Sequence, residues 1–381
     1  TMLNTDYKVL TSILNRRIAK VIHYIVSSPQ LGFVPGRIIT EASHLAKLLQ
    51  AYLDERDEDG ILVALDWEKA FDSISWEYLH DAVDALGFGP DIKRWYAILY
   101  NPYDPQQRTI QSNGTRTPPF SLQSGIPQGC PLSPLTFIFV SEALTRLIQT
   151  YPSYKGIEVA GRQYRLSQFA DDTLLFLRGY AGLRTAWRLI SQYSAATGMQ
   201  VNLKKTEGIR CGRLRTRPPP DIPELNTDLI KWVQPGKWVR LLGIPFWEDF
   251  DPSLFWDSLY QKAKGLMACW HTEFLTTLAR SRVAVTMYLS RFRYWLQCML
   301  PPRYILDAIN SDLQAFTWAR DLDMDPDENG CCAEFRRWMR TGAQYASRTA
   351  SLGLGMMPWH HHCTALRARW IFRYLDPTNG D

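Results

Sequence analysis

Residues 61–72 read ILVALDWEKAFD, and the fold turns on how this stretch is taken. The run ILVAL is continuous, apolar and short, which predicts a strand buried on both faces rather than a free-standing helix. Asp66 ends that strand and Asp72 follows six residues later. Ser75 then stands as the N-cap of a helix through WEYLHDAVDALG, which Gly87 stops. A second stretch answers the first. YRLSQFADDTLLFLR (164–178) predicts two apolar strands joined by a tight turn around Ala170 to Asp172. Acids at strand ends and turns converge when the strands are neighbours, and convergent carboxylates suit hard cations. Mg²⁺ takes a few carboxylates and leaves its other positions to water and phosphate oxygens. Each piece also has an ordinary reading: an Asp-Asp pair makes a turn, and an acid after a strand makes a cap.

The surrounding chain is legible more coarsely. Helical spacing runs through 5–26 (Val9, Ile13, Leu14, Ile18, Ile22) and 40–53 (Leu45, Leu48, Leu49, Tyr52), with the loop SSPQLGFVPGR between them. Ser133-Pro134 predicts a cap and a first helical position opening LTFIFVSEALTRLI. Residues 181–197 are expected to be helical, and RLRTRPPPDIPELN (213–226) a linker or surface loop. Beyond about 250, Phe255, Leu259, Ala263, Leu266 and Trp270 keep a helical period. Mixed strands and helices followed by helices alone predict an α+β domain and then a helical one.

With 381 residues, 46% hydrophobic and 21% charged, the composition is that of a folded chain, and at roughly 150 residues per domain it allows two or three domains. No run reaches the roughly 18 apolar residues of a membrane span, and no signal-peptide pattern opens the chain. The seven cysteines are scattered without a CxxC, which favours a reducing compartment. Cys331-Cys332 and the HHHC run invite a zinc site, but adjacent cysteines lack the usual chelating gap, and the His cluster is read as structural. The net charge of +5 conceals a segregation. Glu41 to Asp91 holds thirteen acids against three bases, while Lys155 to Arg217 holds twelve bases against four acids and Lys262 to Arg303 seven against one. Basic blocks interleaved with aromatics suit a surface that meets polyphosphate and stacked bases, although solvated faces look the same locally.

Read together and in order, these segments resemble the reverse transcriptases of non-LTR (LINE-type) retrotransposons. LNTDYKVLTSILNRRI and QLGFVPGR look like the family's fingers segment, and ALDWEKAFDSISWEYL matches its first palm motif. SGIPQGCPLSPLTF, FADDTLLF and TGMQVNLKKTEG are similar to the second, third and fourth, and VRLLGIPF to the primer grip. ARSRVAVTMYLSRFRYWLQCMLP looks like the thumb, and SLGLGMMPWHHHCTALRARWIFRYLDP like the region after it.

The resemblance implies an α+β right-hand polymerase: a palm with an antiparallel sheet and packed helices, plus a helical thumb. Its parts would be residual fingers at 1–56, palm at 57–250 (finger-side elements about 91–123), thumb at 251–325 and the start of a C-terminal region at 326–381. Asp66, Asp171 and Asp172 would be catalytic and hold two Mg²⁺ ions, with Mn²⁺ as a substitute. Lys205, or its neighbour Lys204, would protonate the leaving pyrophosphate. Phe71 stands at the family's steric gate, Gln128 and Gly129 at its nucleotide-contacting turn, Arg37 at the triphosphate and Leu242-Gly243 at the primer end. Trp67, Glu68 and Asp72 are read as structural. The implied partners are an RNA template, a DNA primer and a dNTP, with no membrane, and the implied location is intracellular, nuclear at integration. The chain is expected to be a piece of a longer polyprotein, with further finger strands and commonly an endonuclease upstream. Group II intron or retron reverse transcriptases share the palm, nucleotidyl cyclases share two palm acids, and a decayed remnant that only binds nucleic acid is the rival from another class.

Overall fold

The computed structural model describes residues 3–104, 107–220, 222, 225–247, 251–270, 274–318, 356 and 359–375. The chain divides into two units, Thr1–Asp249 and Phe250–Asp381. The Cys331-Cys332 pair and most of 326–381, including SLGLG, lie outside the described residues.

The first unit is built on the strand anticipated at ILVAL. This strand, β1 (Gly60–Leu65), is central in a five-stranded sheet. The other members are β2 (Leu166–Phe169), β3 (Asp172–Leu177), β4 (Glu207–Cys211) and β5 (Lys231–Trp232), in the order β5-β4-β1-β3-β2. All pairs are antiparallel except β4 with β5, which run parallel at one edge, in keeping with the expected antiparallel sheet. Ile61, Val63, Leu65, Leu175 and Leu177 face the main core. They share it with α3 (Trp76–Ala85), α4 (Pro90–Leu99), α5 (Ser133–Thr150) and α6 (Gly179–Thr197). Leu62, Leu174, Phe176 and Ile209 on the other face are also buried. Helix α2 (Ile39–Glu55) packs over β1, β2 and β4 there.

Several boundaries follow the sequence, and others correct it. Ser75 caps α3 by accepting the Tyr78 N–H at 3.3 Å, and Gly87 follows the helix at φ +77°. At Ser133 the cap is missing: α5 already begins there, and the Ser133 hydroxyl donates to Pro127 O at 2.7 Å instead. The helix expected over 5–26 stops after α1 (Thr5–Ala19), and the chain turns to send Ile22 and Val26 into the core. On α2 the buried stripe is Ala42, Ala46, Leu49 and Leu53, while Leu48 is exposed. The face was displaced because small alanines, weak in hydrophobicity, allow close approach to the sheet. The expected linker 213–226 is anchored: Leu214, Ile222 and Leu225 are buried, and Arg215 pairs with Asp54.

The loop at 26–37 is equally fixed. Glu142 on α5 is fully buried and accepts from Ser27 N at 3.0 Å, from the Ser27 hydroxyl at 2.5 Å and from Arg146 Nε at 2.8 Å. The Arg37 guanidinium donates to Gln30 O at 2.6 Å, Ser27 O at 2.7 Å and Val26 O at 3.2 Å.

The second unit is helical in all its described elements. Asp251 caps α7 (Pro252–Ala268) through the Ser253 N–H at 2.8 Å, and α8 (Thr277–Val283) is capped by Thr276. A π-helical turn, Ala284–Leu289, carries α8 into α9 (Ser290–Cys298). Helices α10 (Arg303–Thr317) and α11 (Trp359–Leu375) follow. Trp256, Tyr288, Phe292, Ile309 and Leu313 form the interior.

Burial ranks the ion pairs of the first unit. Glu142→Ala strands the Ser27 donor inside the protein, so urea unfolding should show a loss of roughly 1–3 kcal/mol. Lys93→Ala breaks the exposed pair with Asp84 and should change the same midpoint by no more than about 1 kcal/mol.

Candidate active site

Strand register brings the first two acids together. Ile61 to Leu65 of β1 pair with Leu177 to Thr173 of β3, and one step further sets Asp66 opposite Asp172. On the other flank Ala64 pairs with Glu207, and Lys205 lies in the turn that leads into β4. Directly opposed residues of an antiparallel pair point to the same face, so Asp66, Asp172 and Glu207 share one side of the sheet, and Lys205 joins them from its turn. They line a cavity of about 300 Å³ together with Ala64, Leu174, Lys231, Arg240 and Leu242.

The backbone at Asp66 is held from β4's side. Its N–H meets the Thr206 hydroxyl at 3.4 Å, and its carbonyl accepts from Asn202 N at 2.8 Å. Thr206 is fully buried and its hydroxyl donates to Asn202 O at 3.0 Å. Asp171 and Ala170 form the two-residue turn between β2 and β3, closed by the Phe169–Asp172 pair. Asp171 does not line the cavity, but its charge reaches Asp172.

Clustering acids has a measurable electrostatic consequence. Asp172 keeps a solvent-accessible edge, yet its surroundings are mostly protein. Lost hydration pushes its carboxyl up to about 6, and the neighbouring charges of Asp171 and Asp66 add to the shift. Glu207 is also raised by burial, opposed by Lys231 and Arg240. Among the described residues no group of three or more His, Cys, Asp or Glu side chains could hold a metal ion by itself. The donors nevertheless fit a hard cation that arrives with phosphate oxygens. They are carboxylates only, they repel one another, and Mg²⁺ is commonly held by one or two carboxylates and its substrate.

The remaining expected residues are placed as follows. Phe71 is half-buried and stacks on Phe137 with ring centroids 4.7 Å apart. Gln128 and Gly129 are exposed in a turn closed by Cys130 N to Pro127 O at 3.3 Å. Gly129 has φ +88°, the value that the third position of a type II turn requires. Leu242 (φ +49°) and Gly243 (φ +76°) make the two-residue turn between β6 (Trp238–Leu241) and β7 (Ile244–Trp247). Lys205 lines the cavity and Lys204 does not, which separates the two candidates.

Arg37 departs from its expected place. Its guanidinium is committed to the carbonyls of its own loop and does not line the cavity, so its observed work is to shape 26–37. Glu207, Lys231, Arg240 and Thr206 were not anticipated. Glu207 lies within the TGMQVNLKKTEG segment and opens β4. Lys231 and Arg240 reach the cavity only through the parallel edge strand and the β6–β7 hairpin, which leave no local pattern.

Residues 1–246 match the family described as reverse transcriptase (RNA-dependent DNA polymerase). The chain is 25% identical over 321 residues to the transposon TX1 uncharacterized 149 kDa protein of Xenopus laevis, covering 84% of this chain and 24% of that protein. It is 28% identical over 203 residues to a Pol polyprotein from a type-2 retrotransposable element of Drosophila melanogaster, covering 53% of this chain and 18% of that protein. The chain thus spans about a quarter or less of the length of these curated relatives. A telomerase structure from Candida tropicalis aligns with 97% of this chain and 55% of its own, at 11% identity and a TM-score of 0.44.

The raised Asp172 carboxyl has a defined sign. The folded protein holds its proton more tightly than the unfolded chain, whose carboxyl titrates near 4. Without divalent metal, stability should therefore fall as pH rises from about 4 to about 6. Asp172→Asn should flatten that part of the profile and raise the urea midpoint at pH 7. Unfolding in EDTA at several pH values checks this, and parallel profiles for the two proteins would contradict it.

Proposed function

Because the chain belongs to the reverse transcriptase (RNA-dependent DNA polymerase) family, we propose that its acidic cavity carries out RNA-templated DNA synthesis. The observation that carries this reading is one cavity lined by Asp66, Asp172 and Lys205, with the two acids at adjoining ends of the paired strands β1 and β3. The similarity to retrotransposon proteins supports a LINE-type, non-LTR element; action at nicked DNA in the nucleus is part of the proposal.

In this reading Thr1–Asp249 contains the residual fingers and the palm, and Phe250–Asp381 the thumb and the start of a C-terminal region. Divalent metal ions serve the family generally; here Asp66, Asp171 and Asp172 would hold two Mg²⁺. Bound there, the ions would lower the pKa of the primer hydroxyl and neutralise charge on the substrate phosphates.

The chain's own groups have separate tasks. The Lys205 ammonium donates a proton to an oxygen of the departing pyrophosphate. The exposed edge of Phe71, held by its stack on Phe137, sets a limit on the sugar's 2′ position. Gly129, without a side chain, lets the turn's backbone approach the base or sugar closely. Leu242 and Gly243 support the primer end. In the second unit, Lys262, Arg282, Arg291, Arg293 and Arg303 are exposed bases for phosphates of an RNA–DNA duplex.

The test is primer extension on an RNA template with Mg²⁺, comparing the chain with the double variant Asp171→Asn, Asp172→Asn. The variant should lose about a hundredfold or more of the synthesis while keeping its affinity for RNA–DNA duplex. Equal, background-level synthesis by both, with duplex binding intact, would replace polymerase activity by the binding-only reading.

A further inference from the structure

The segment QLGFVPGR is spent only partly by the proposed reaction, and its first residue is fully buried under the acidic turn. Gln30 bridges Gln168 of β2 in parallel fashion. The backbone joins on both sides: Leu31 N donates to Gln168 O at 2.7 Å, and Gln168 N to Pro29 O at 2.8 Å. The Gln30 side-chain oxygen accepts from Ala170 N at 3.0 Å and from Gly32 N at 2.9 Å. Its nitrogen donates to the Ser141 hydroxyl at 3.2 Å and lies 3.5 Å from Ala170 O. Gly32 is pressed so close that a Cβ there would stand 2.3 Å from Ala170 N.

Ala170 is the residue that needs this support. It has φ +56°, whereas Asp171 beside it does not share a positive φ. Positive φ at the first of two turn residues alone is the type II′ pattern, where glycine is the usual occupant. An alanine there is strained, and only surrounding bonds make it persist. Gln30 supplies such a bond to the turn's own N–H. Around it, Gln168 Nε2 and Trp67 Nε1 each donate to the Thr173 hydroxyl at 3.3 Å, so the polar groups beneath the turn are satisfied.

We propose that Gln30 is a positioning residue: its buried carboxamide fixes the Ala170–Asp171 turn and through it the placement of the Asp171 and Asp172 carboxylates. The catalytic part of this inference rests on the polymerase reading above. The structural part stands on the turn itself. Gln30 touches neither substrate nor metal.

Gln30→Met keeps length and burial and removes both hydrogen-bonding ends. Hydrogen exchange of the Ala170 amide should quicken by about tenfold or more, since that donor loses its partner. Mn²⁺ affinity, read by electron paramagnetic resonance without any nucleic acid, should fall several-fold. In primer extension kcat should drop by about tenfold, with KM for dNTP changed less than about twofold, because placement and not binding is lost. Ala170→Gly in the Gln30→Met background should recover most of kcat, since glycine needs no help at positive φ. Should Gln30→Met not fold, Ser141→Ala loosens the same carboxamide and should shift each readout in the same direction by less. Unchanged Ala170 exchange, or a kcat loss that Ala170→Gly leaves untouched, overturns the proposal and makes Gln30 an ordinary core residue. If the unsubstituted chain extends no primer, the polymerase reading fails; Ala170 exchange and Mn²⁺ affinity still decide for or against Gln30.

Discussion

The antiparallel pairing of β1 with β3 is the constraint on which the rest depends. Its register sets Leu65 against Thr173, and everything chemical follows from the next step along both strands. A slip by one residue would turn each acid to the opposite face, into the apolar side that packs on α3, α5 and α6. The register is held by that same apolar side. Ile61, Val63, Leu65, Leu175 and Leu177 are buried there, so the energy that fixes the sheet also aims the carboxylates.

Gathering like charges on one face opposes folding, and the surrounding groups answer it. Lys205, Lys231 and Arg240 line the same cavity as Asp66, Asp172 and Glu207. Burial and charge still leave Asp172 raised. The buried hydroxyl of Thr206 and the amides of Gln30 and Gln168 tie the acidic segments to the framework by hydrogen bonds that carry no net charge. Neutral donors and acceptors can therefore support the site without cancelling its field.

The parts legible in the sequence were those whose signal is local. ILVAL, the FADD turn, the Ser75 cap and the Gly87 stop each depend on a few adjacent residues, and each stands where the pattern places it. The acids were legible because an acid that ends an apolar strand is conspicuous. Resemblance, and not spacing, singled out Lys205, Phe71, Gln128, Gly129 and the Leu242-Gly243 turn. What failed was what only tertiary packing decides. Leu48 is exposed and Ala46 buried because the sheet selects the face of α2. Arg37 faces carbonyls of its own loop, which no sequence window reveals. Gln30 carried no signal, since a buried amide reads as any polar loop residue.

The order in which the sheet is assembled along the chain has a consequence for biogenesis. The five apolar residues of β1 leave the ribosome about a hundred residues before β3, and β4 comes later still. Until then both hydrogen-bonding edges of a flat, uncharged strand are open, the state most apt to pair with another copy. The acid-rich flank from Asp54 to Asp59 immediately precedes this strand, and charges flanking an apolar strand disfavour pairing between copies.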